Sequence, residues 1–378
     1  MSYNLYDIGI IGGGLAGLCL ALQAADAGYT VVVLEKEHYP FHKVCGEYIS
    51  FESYDFLKRL GLPLDEWKMP VIKKLEVSDI KGELYHFELP QGGFGISRYT
   101  LDDALYQKAL QKGVVVKTDT KVLDINFWEN NFTIQTQHEN FTVLATAGSF
   151  GKRSNLDIKW KRSFIRNKTG KLNNYIGVKY HIQYPHPTDT ITLHNFKNGY
   201  CGMSAIEEGK SCLCYLTSAS NLRLAGNSIQ QLEEKILFQN PILKKIFTNA
   251  TFLYDKPLTI SQVSFQQKSQ VENHVLMIGD AAGLITPLCG NGMSMAMHGS
   301  KLAFECLQDF LQNRISRETS ESKYQQLWKQ QFAHRLWMGR TVQRLFGNDT
   351  ATSYFLKTMQ FLPGLAEKII QSTHGTAF

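Results

Sequence analysis

The 378-residue sequence predicts an α/β fold: a Rossmann-type nucleotide-binding domain, discontinuous in the chain, with an inserted β-sheet substrate domain of α+β character and a helical C-terminal tail. Three observations predict it. The chain opens on a strand, glycine turn, helix and strand. A second buried strand ends in Gly279-Asp280 and leads into another glycine-punctuated segment and helix. The long stretch between the two is dominated by strand-like runs.

The opening unit carries the most information. Ile8 to Ile11 is an apolar strand, Gly12-x-Gly14-x-x-Gly17 the turn, and the small residues that follow form a helix. Val31 to Leu34 is the second strand, and it ends on Glu35. Such glycines make a tight turn and let backbone N–H groups approach a pyrophosphate, helped by the partial positive charge of a helix N-terminus. An acid about 20 residues beyond the turn is placed to bind ribose hydroxyls. The unit therefore predicts a dinucleotide site and redox chemistry.

Composition sets bounds. Hydrophobic residues make up 43% and charged residues 20%, a globular balance that leaves room for two lobes. The net charge of +6 permits an anionic ligand but does not call for nucleic acid. Seven irregularly spaced cysteines suggest free thiols in a reducing cytoplasm. No signal peptide pattern precedes the first strand. The run from Ile8 to Leu22 is broken by glycines and is shorter than the roughly 18 residues of a membrane span. A cytoplasmic protein is expected, with peripheral membrane contact left open.

After Glu35 a loop-like stretch runs to Ser50, and 52–60 reads as a short amphipathic helix. Residues 71–97 alternate as strands, with turns at Lys81-Gly82 and Gly92-Gly93. Arg98 to Gly113 reads as a helix with Thr100 as N-cap. Strands follow from Val114 to Ala145, with a turn at Glu129-Asn130-Asn131. Further strands are expected at Tyr175–Ile182, Ile191–Phe196 and Cys212–Leu216, and a helix near 228–247. His274 to Asp280 reads as a buried strand, Gly292 to Phe310 as a helix, and 320–378 as helical. The expected division is a nucleotide domain over 1–75, 98–155 and 270–315, a substrate domain over 76–97 and 156–269, and a helical region over 316–378.

The second motif is Gly279-Asp280-Ala281-Ala282-Gly283, followed by Pro287 and Gly290-Asn291-Gly292-Met293. An acid closing a buried strand can accept hydrogen bonds from the ribityl hydroxyls of a flavin. The glycines behind it bring backbone and a helix N-terminus to the ring edge that becomes anionic on reduction. With these residues the chain resembles the p-hydroxybenzoate-hydroxylase-fold FAD-dependent oxidoreductases over roughly residues 5–310. Within them, Lys43-x-Cys45-Gly46 and a GDAAG whose Gly283 stands where aromatic hydroxylases carry His resemble the geranylgeranyl-reductase branch. Ile96-Ser97-Arg98 with Leu101-Asp102 matches a further segment.

The resemblance implies FAD as cofactor, held by Gly12, Gly14, Leu15, Ala16, Gly17, Glu35, Lys36, Lys43, Arg98, Val122, Gly279, Asp280, Gly290, Gly292 and Met293. It implies a substrate pocket at Cys45, Tyr200, Gly202 and Pro287, with Cys45 and Gly202 on opposite walls facing the flavin and Cys45 as the candidate catalytic group. Two departures matter. Gly148-Ser149-Phe150-Gly151 carries Phe150 where the family has an Asp linked to pyridine-nucleotide access, so NADPH or a separate reductase remains open as electron donor. Tyr200-Cys201-Gly202 stands where geranylgeranyl reductases carry a Y-x-W-x-F-P-like strand and flavin halogenases W-x-W-x-I-P. Gly202 in place of Trp would enlarge the pocket, and a tryptophan-type halogenase is disfavoured.

Other features read more plainly. His38, His42 and Cys45 fit no common zinc spacing, so no metal is expected. Cys212 and Cys214 share a strand face and read as packed core. Lys159, Lys161, Arg162, Arg166, Lys168 and Lys171 form either a solvated face or a dock for an acidic carrier protein, a phosphorylated substrate or an anionic membrane. Few aromatics accompany them, which speaks against nucleic acid. The Phe355–Ile370 tail is expected to pack over the substrate cavity. No G-x-S-x-G or Walker sequence occurs. The expected activity is FAD-dependent redox chemistry on a small apolar substrate: C=C reduction of a prenyl or polyene-type chain, or alternatively monooxygenation of an aromatic or polyketide.

Overall fold

A computed structural model describes residues 5–166 and 174–378. The chain runs β1 (Leu5–Ile11), α1 (Leu15–Asp26), β2 (Val31–Leu34), β3 (Tyr48–Ser50), α2 (Tyr54–Arg59), β4 (Val71–Ser78), β5 (Leu84–Gly95), α3 (Arg98–Gln111), β6 (Val115–Lys117), β7 (Val122–Trp128), β8 (Asn131–Thr136), β9 (Asn140–Gly148), α4 (Asn155–Lys159) and α5 (Ser163–Arg166). It continues through β10 (Tyr175–Gln183), β11 (Thr190–Phe196), β12 (Gly199–Ala205), β13 (Ser211–Ser218), α6 (Ala219–Leu224), α7 (Ile229–Lys235), α8 (Pro241–Asn249), β14 (Thr251–Phe252), β15 (Leu258–Val263), β16 (Val271–Glu272) and β17 (Val275–Met277). The last helices are α9 (Gly292–Leu311), α10 (Arg317–Gln343), α11 (Asp349–Phe361) and α12 (Pro363–Thr373).

The first sheet has the order β16-β17-β9-β1-β2-β6, with β7 and β8 attached as antiparallel ribbons beside β9. β1 pairs in parallel with both β2 and β9, with Ile8 opposite Val31 and Ala145. Val31–Leu34 is buried throughout, as parallel strands covered on both faces require. α1 packs against the sheet and against α9, and its small residues allow the close approach. At Gly17 a Cβ would run into the Gly12 carbonyl, so the helix can start this close to the turn only with glycine there.

The second sheet is ordered β14-β10-β13-β12-β11-β4-β5-β3, with β15 beside β10. Strand alternation gives it two different faces. Val178, Tyr180, Met203, Leu213 and Tyr215 point to one side and pack on Leu232, Leu237, Leu243 and Phe247 of the α7–α8 region. Gly177, Lys179, His181, Gly202, Ser204, Cys212 and Cys214 lie on the other. That face meets the 43–47 loop: Ser204 Oγ donates to the Gly46 carbonyl at 2.9 Å, and a Cβ on Gly177 would lie 3.1 Å from Val44.

The structure corrects several expectations. β3 pairs with β5, and β4 pairs with β5 and β11, so 48–50 and 71–75 belong to the second sheet and not to the nucleotide lobe. Conversely, Leu156 is buried in the core of the first lobe, and Asn155 Nδ2 donates to the Val122 carbonyl, so the 155–166 segment packs there. The α3 cap is Ser97, whose Oγ accepts the Thr100 N–H; Thr100 lies inside the helix. Gly92-Gly93 is no turn, because β5 runs on to Gly95 past an irregularity opposite Ile72 and Lys74. The 228–247 helix is broken, and Asn240 caps a new one starting at Pro241. Among the described residues no helix is long and apolar enough to cross a membrane.

Candidate functional site

The glycine turn sits between the ends of β1, β2 and β9. Gly12 has φ +100°, and a Cβ there would lie 2.5 Å from the Ser149 carbonyl. Glu35 is buried, and its carboxylate accepts the Gly13 N–H at 2.8 Å and the Glu37 N–H at 3.0 Å. The hydroxyl of Tyr39 donates to the Gly13 carbonyl, and its ring stacks on Tyr106 at 4.2 Å. Leu15 and Ala16 are buried in the first turn of α1. Lys36 is exposed and pairs with Glu37 at 3.3 Å. Val122 is buried at the start of β7, and two residues before it Thr120 N–H donates to the Glu35 carbonyl.

Two cations overhang the turn. A Cβ placed on Gly14 would lie 3.1 Å from Lys43 Nζ and 3.9 Å from Arg98 Nη2. Arg98 is held by Asp102 through two bonds, Nε to Oδ1 at 2.8 Å and Nη2 to Oδ2 at 2.7 Å, and Lys43 lies 3.5 Å from the same carboxylate. A helix N-terminus, glycine N–H groups and two oriented cations make a cradle that fits a pyrophosphate.

Across the turn, β17 ends early and Gly279–Ala281 forms a single 3-10 turn. Asp280 is half-buried there, and its carboxylate makes no hydrogen bond among the described residues, so it is free for ligand hydroxyls. Its carbonyl accepts Lys268 Nζ at 2.7 Å, which also donates to the Lys152 carbonyl at 2.9 Å. Burial lowers this Lys268 ammonium to about 8. Gly279 approaches α1: a Cβ there would lie 3.1 Å from Ala16. Gly290, Gly292 and Met293 form the turn and first residues of α9, fixed by Asn291 Nδ2 donating to the Thr373 carbonyl at 2.6 Å. The donor set is compatible with FAD: Glu35 would meet the ribose, Lys43 and Arg98 the pyrophosphate, Asp280 the ribityl chain, and the α9 N-terminus the ring edge.

Phe150 packs under this cradle. Its ring meets Trp160 edge-on at 6.3 Å, and a Cβ on Gly148 would lie 2.7 Å from it.

An apolar cavity of about 100 Å³ lies between the second sheet and the C-terminal helices. Leu75, Val77, Leu193, Phe346, Leu356 and Met359 line it, and Pro287 to Gly290 close the end nearest the cradle. It shares Leu89, Ile370 and His374 with a wider pocket of about 570 Å³, whose walls include Gln91, Gln331 and Arg335. Of the four expected substrate residues, Pro287 lines the narrow cavity. Gly202 stands behind it, where a Cβ would lie 3.3 Å from Leu193, and Tyr200 packs on Phe346. Cys45 is half-exposed on the loop over the same sheet face, and its carbonyl accepts the Cys212 thiol at 3.2 Å. Burial raises the Cys212 and Cys214 thiols, the latter to about 12.

The expectation missed one cluster. Glu47, Lys179 and His181 are buried together, with Lys179 Nζ bonded to Glu47 Oε1 and His181 Nε2 2.6 Å from Glu47 Oε2. His181 Nδ1 meets the Tyr254 hydroxyl at 2.8 Å, and that hydroxyl meets His42 Nε2 at 2.9 Å. Burial alone would raise the Glu47 carboxyl, but the bonds from His181 and Lys179 outweigh it and hold the group below its ordinary value. Burial and the Lys179 charge lower His42 to about 4. The only signals in the sequence were the acid following Lys43-x-Cys45-Gly46 and two polar residues alternating on an apolar strand. Glu47, His181 and Cys212 come within 4.8 Å of one another, but the Lys179 ammonium on Glu47 opposes a metal ion there. His38 lies apart, 3.3 Å from Asp119.

Among the described residues of the basic segment, Arg162 does not lie on a solvated face. It is buried, paired with Asp157 at 2.8 Å, and Lys159 pairs with Asp124 at 2.7 Å. Lys168 and Lys171 lie outside the described residues.

Comparison with known proteins agrees with the opening strand, glycine turn and helix. The family described as "FAD binding domain" matches residues 7–42. Conditioned medium factor receptor 1 of Dictyostelium discoideum is 23% identical over 90% of this chain and 70% of its own length. Digeranylgeranylglycerophospholipid reductase 2 of Methanopyrus kandleri is 21% identical over 90% of this chain and 86% of its own. A solved flavin-dependent brominase superposes with a TM-score of 0.81 at 18% identity, covering 99% of this chain and 94% of that one. The protein has the fold of the FAD-dependent oxidoreductases. It is a flavoprotein enzyme whose cofactor is FAD.

Proposed function

We propose that the protein reduces carbon–carbon double bonds in a prenyl- or polyene-type small molecule. The observation that carries this reading is the narrow apolar cavity that ends at Pro287–Gly290 and shares Leu89, Ile370 and His374 with a wider pocket containing glutamines and Arg335. A slender apolar chain with a polar end suits that sequence of walls. FAD, when bound, would supply the hydride. The protein's own residues do the rest: Lys43 and Arg98 hold the pyrophosphate, Asp280 orients the ribityl chain, and the apolar walls align the substrate and exclude water. Cys45, half-exposed over the same sheet face, is the candidate to position substrate or move a proton.

Phe150 presents an apolar ring where the family's Asp would stand, which supports a separate reductase over direct use of NADPH as donor. An exposed apolar tip joins α11 to α12, with Phe361 83% and Leu362 53% exposed. The same two helices wall the cavity, so the tip supports peripheral contact with a lipid surface as the side from which substrate arrives. Tyr200-Cys201-Gly202, which lacks the tryptophan of the reductase strand, keeps flavin monooxygenation as the second reading.

Oxygen separates the two. Protein carrying chemically reduced FAD is mixed with a prenyl lipid under argon, and the product is weighed by mass spectrometry. Addition of two hydrogens without oxygen supports reduction. An oxygenated product formed only in air, with no anaerobic turnover, would overturn it.

A further inference from the structure

The 43–47 loop is held almost entirely by the second sheet. Lys179 Nζ donates to the Lys43 carbonyl at 3.2 Å, the Cys212 thiol to the Cys45 carbonyl at 3.2 Å, and Ser204 Oγ to the Gly46 carbonyl at 2.9 Å. Three of the loop's carbonyls are thus satisfied by side chains from β10, β12 and β13. Glu47 closes the loop with φ +56°, a left-handed backbone that is unfavourable for a side chain of this size and persists only where surroundings enforce it. Its carboxylate takes three groups from two elements: Lys179 and His181 on β10, and the Arg98 N–H at 2.8 Å at the start of α3. Both partners of the Glu47–Lys179 pair are fully buried.

A buried ion pair is poor value for stability, since apolar residues of similar volume often do as well. It does fix geometry, because removing either charge strands the other. The loop so fixed carries Lys43 of the pyrophosphate cradle and Cys45 of the proposed reaction site, and the carboxylate also bonds the backbone of Arg98.

We propose that Lys179 and Glu47 are positioning residues for the FAD-dependent reaction: their buried pair sets the Lys43–Gly46 loop, and with it Lys43 and Cys45, at a fixed place between the two lobes. The assignment of Cys45 to the reaction rests on the reading above; the fixing of the loop does not. The Tyr254 and His42 bonds support it from behind by holding the His181 ring with Nε2 toward Glu47.

The seven cysteines provide a site-resolved test that needs neither substrate nor turnover. FAD-loaded and FAD-free protein are treated with iodoacetamide, and alkylation of each cysteine is followed by peptide mass spectrometry. In Lys179→Met, Cys45 should react about tenfold faster or more, the scale of one lost charge-assisted bond. Cys19 and Cys306, buried in the first lobe, should stay unreactive. The absorption band of bound FAD should shift in the same variant. If Lys179→Met does not fold, the Glu47→Gln/Lys179→Met pair, which strands no charge, carries the same test. Unchanged Cys45 reactivity in a folded variant would overturn the proposal. So would a rise at all seven cysteines together, because the pair would then hold the fold and not the loop. A reductase with no such Cys45 response refutes the positioning role alone; a Cys45 response in a protein without anaerobic turnover refutes the reaction alone.

Discussion

Glu233 lies on α7 against the back of the second sheet, and replacing it by Gln gives a stability change whose sign follows from its surroundings. Glu233 as a residue is 8% exposed, and one carboxylate oxygen, Oε1, accepts both the Tyr180 hydroxyl at 2.8 Å and the Tyr215 hydroxyl at 2.9 Å. Burial raises the group from 4.5 to about 7, and the two tyrosine bonds only partly oppose this. Between those values the folded protein holds a proton that the unfolded chain has released. Stability therefore falls as pH rises through that window, and the loss is complete above it. At about 1.4 kcal/mol per pH unit the interval corresponds to about 3 kcal/mol at most. Glu233→Gln keeps an acceptor for both hydroxyls and removes the charge. It should match the parent below pH 4.5 and exceed it by up to about 3 kcal/mol at pH 8. Urea unfolding followed by circular dichroism, at several pH values and saturating FAD, measures the difference. Parallel pH dependence in the two proteins, or a variant less stable at pH 8, would show that the carboxylate is not held in the way described.

Four further outcomes are expected. Asp280→Ala should weaken FAD binding by roughly 10- to 100-fold, the equivalent of about 1–3 kcal/mol of lost hydrogen bonding; fluorescence titration of the apoprotein checks it. NADPH alone should bleach the flavin slowly in anaerobic stopped flow, because Phe150 and Trp160 fill the region near the family's Asp with apolar rings; rapid bleaching with no partner would refute this. Gly202→Trp should leave FAD content unchanged while pressing Leu193 into the narrow cavity and raising KM for a prenyl substrate at least tenfold, which steady-state kinetics reads directly. Phe361→Glu with Leu362→Glu should reduce co-sedimentation with phospholipid vesicles and leave activity on a detergent-dispersed substrate intact.

What could be read from the sequence was what depends on neighbours in the chain. The opening unit declares itself because strand, turn, helix and acid are consecutive, and Gly17 answers to a close approach, to the Gly12 carbonyl, within the same unit. Gly279-Asp280 and the α9 start are legible for the same reason. The boundaries that went astray were set by partners far away. Residues 48–50 and 71–75 look like a continuation of the nucleotide lobe until β5 pairs with β3 and β4. Residues 155–166 look like the start of the insert until Leu156 is buried in the first core and Arg162 reaches Asp157, the Ser269 carbonyl and the Ala281 carbonyl. The narrow cavity was equally hidden, because its walls come from strands β4 and β11, the Pro287 turn and the C-terminal helices at once.

The same contrast explains why Cys45 stood out and Glu47 did not. A cysteine in Lys43-x-Cys45-Gly46 matches a local pattern, whereas Glu47 gains meaning only when β10 places Lys179 and His181 two residues apart on the inner face of the second sheet. Strand alternation could have given that face: Tyr175, Gly177, Lys179 and His181 on one side, Ile176, Val178, Tyr180 and Ile182 on the other. What alternation could not give is that the inner face meets a loop from the other lobe and not solvent, where Lys179 would have been an ordinary exposed residue. Once buried, its charge requires a counter-charge within reach, and Glu47 is the residue bonded to it. The FAD cradle is thus specified by a short motif, but the position of its Lys43–Cys45 edge is specified by a pair drawn from both lobes. A change that leaves every motif residue in place can still displace the loop they depend on.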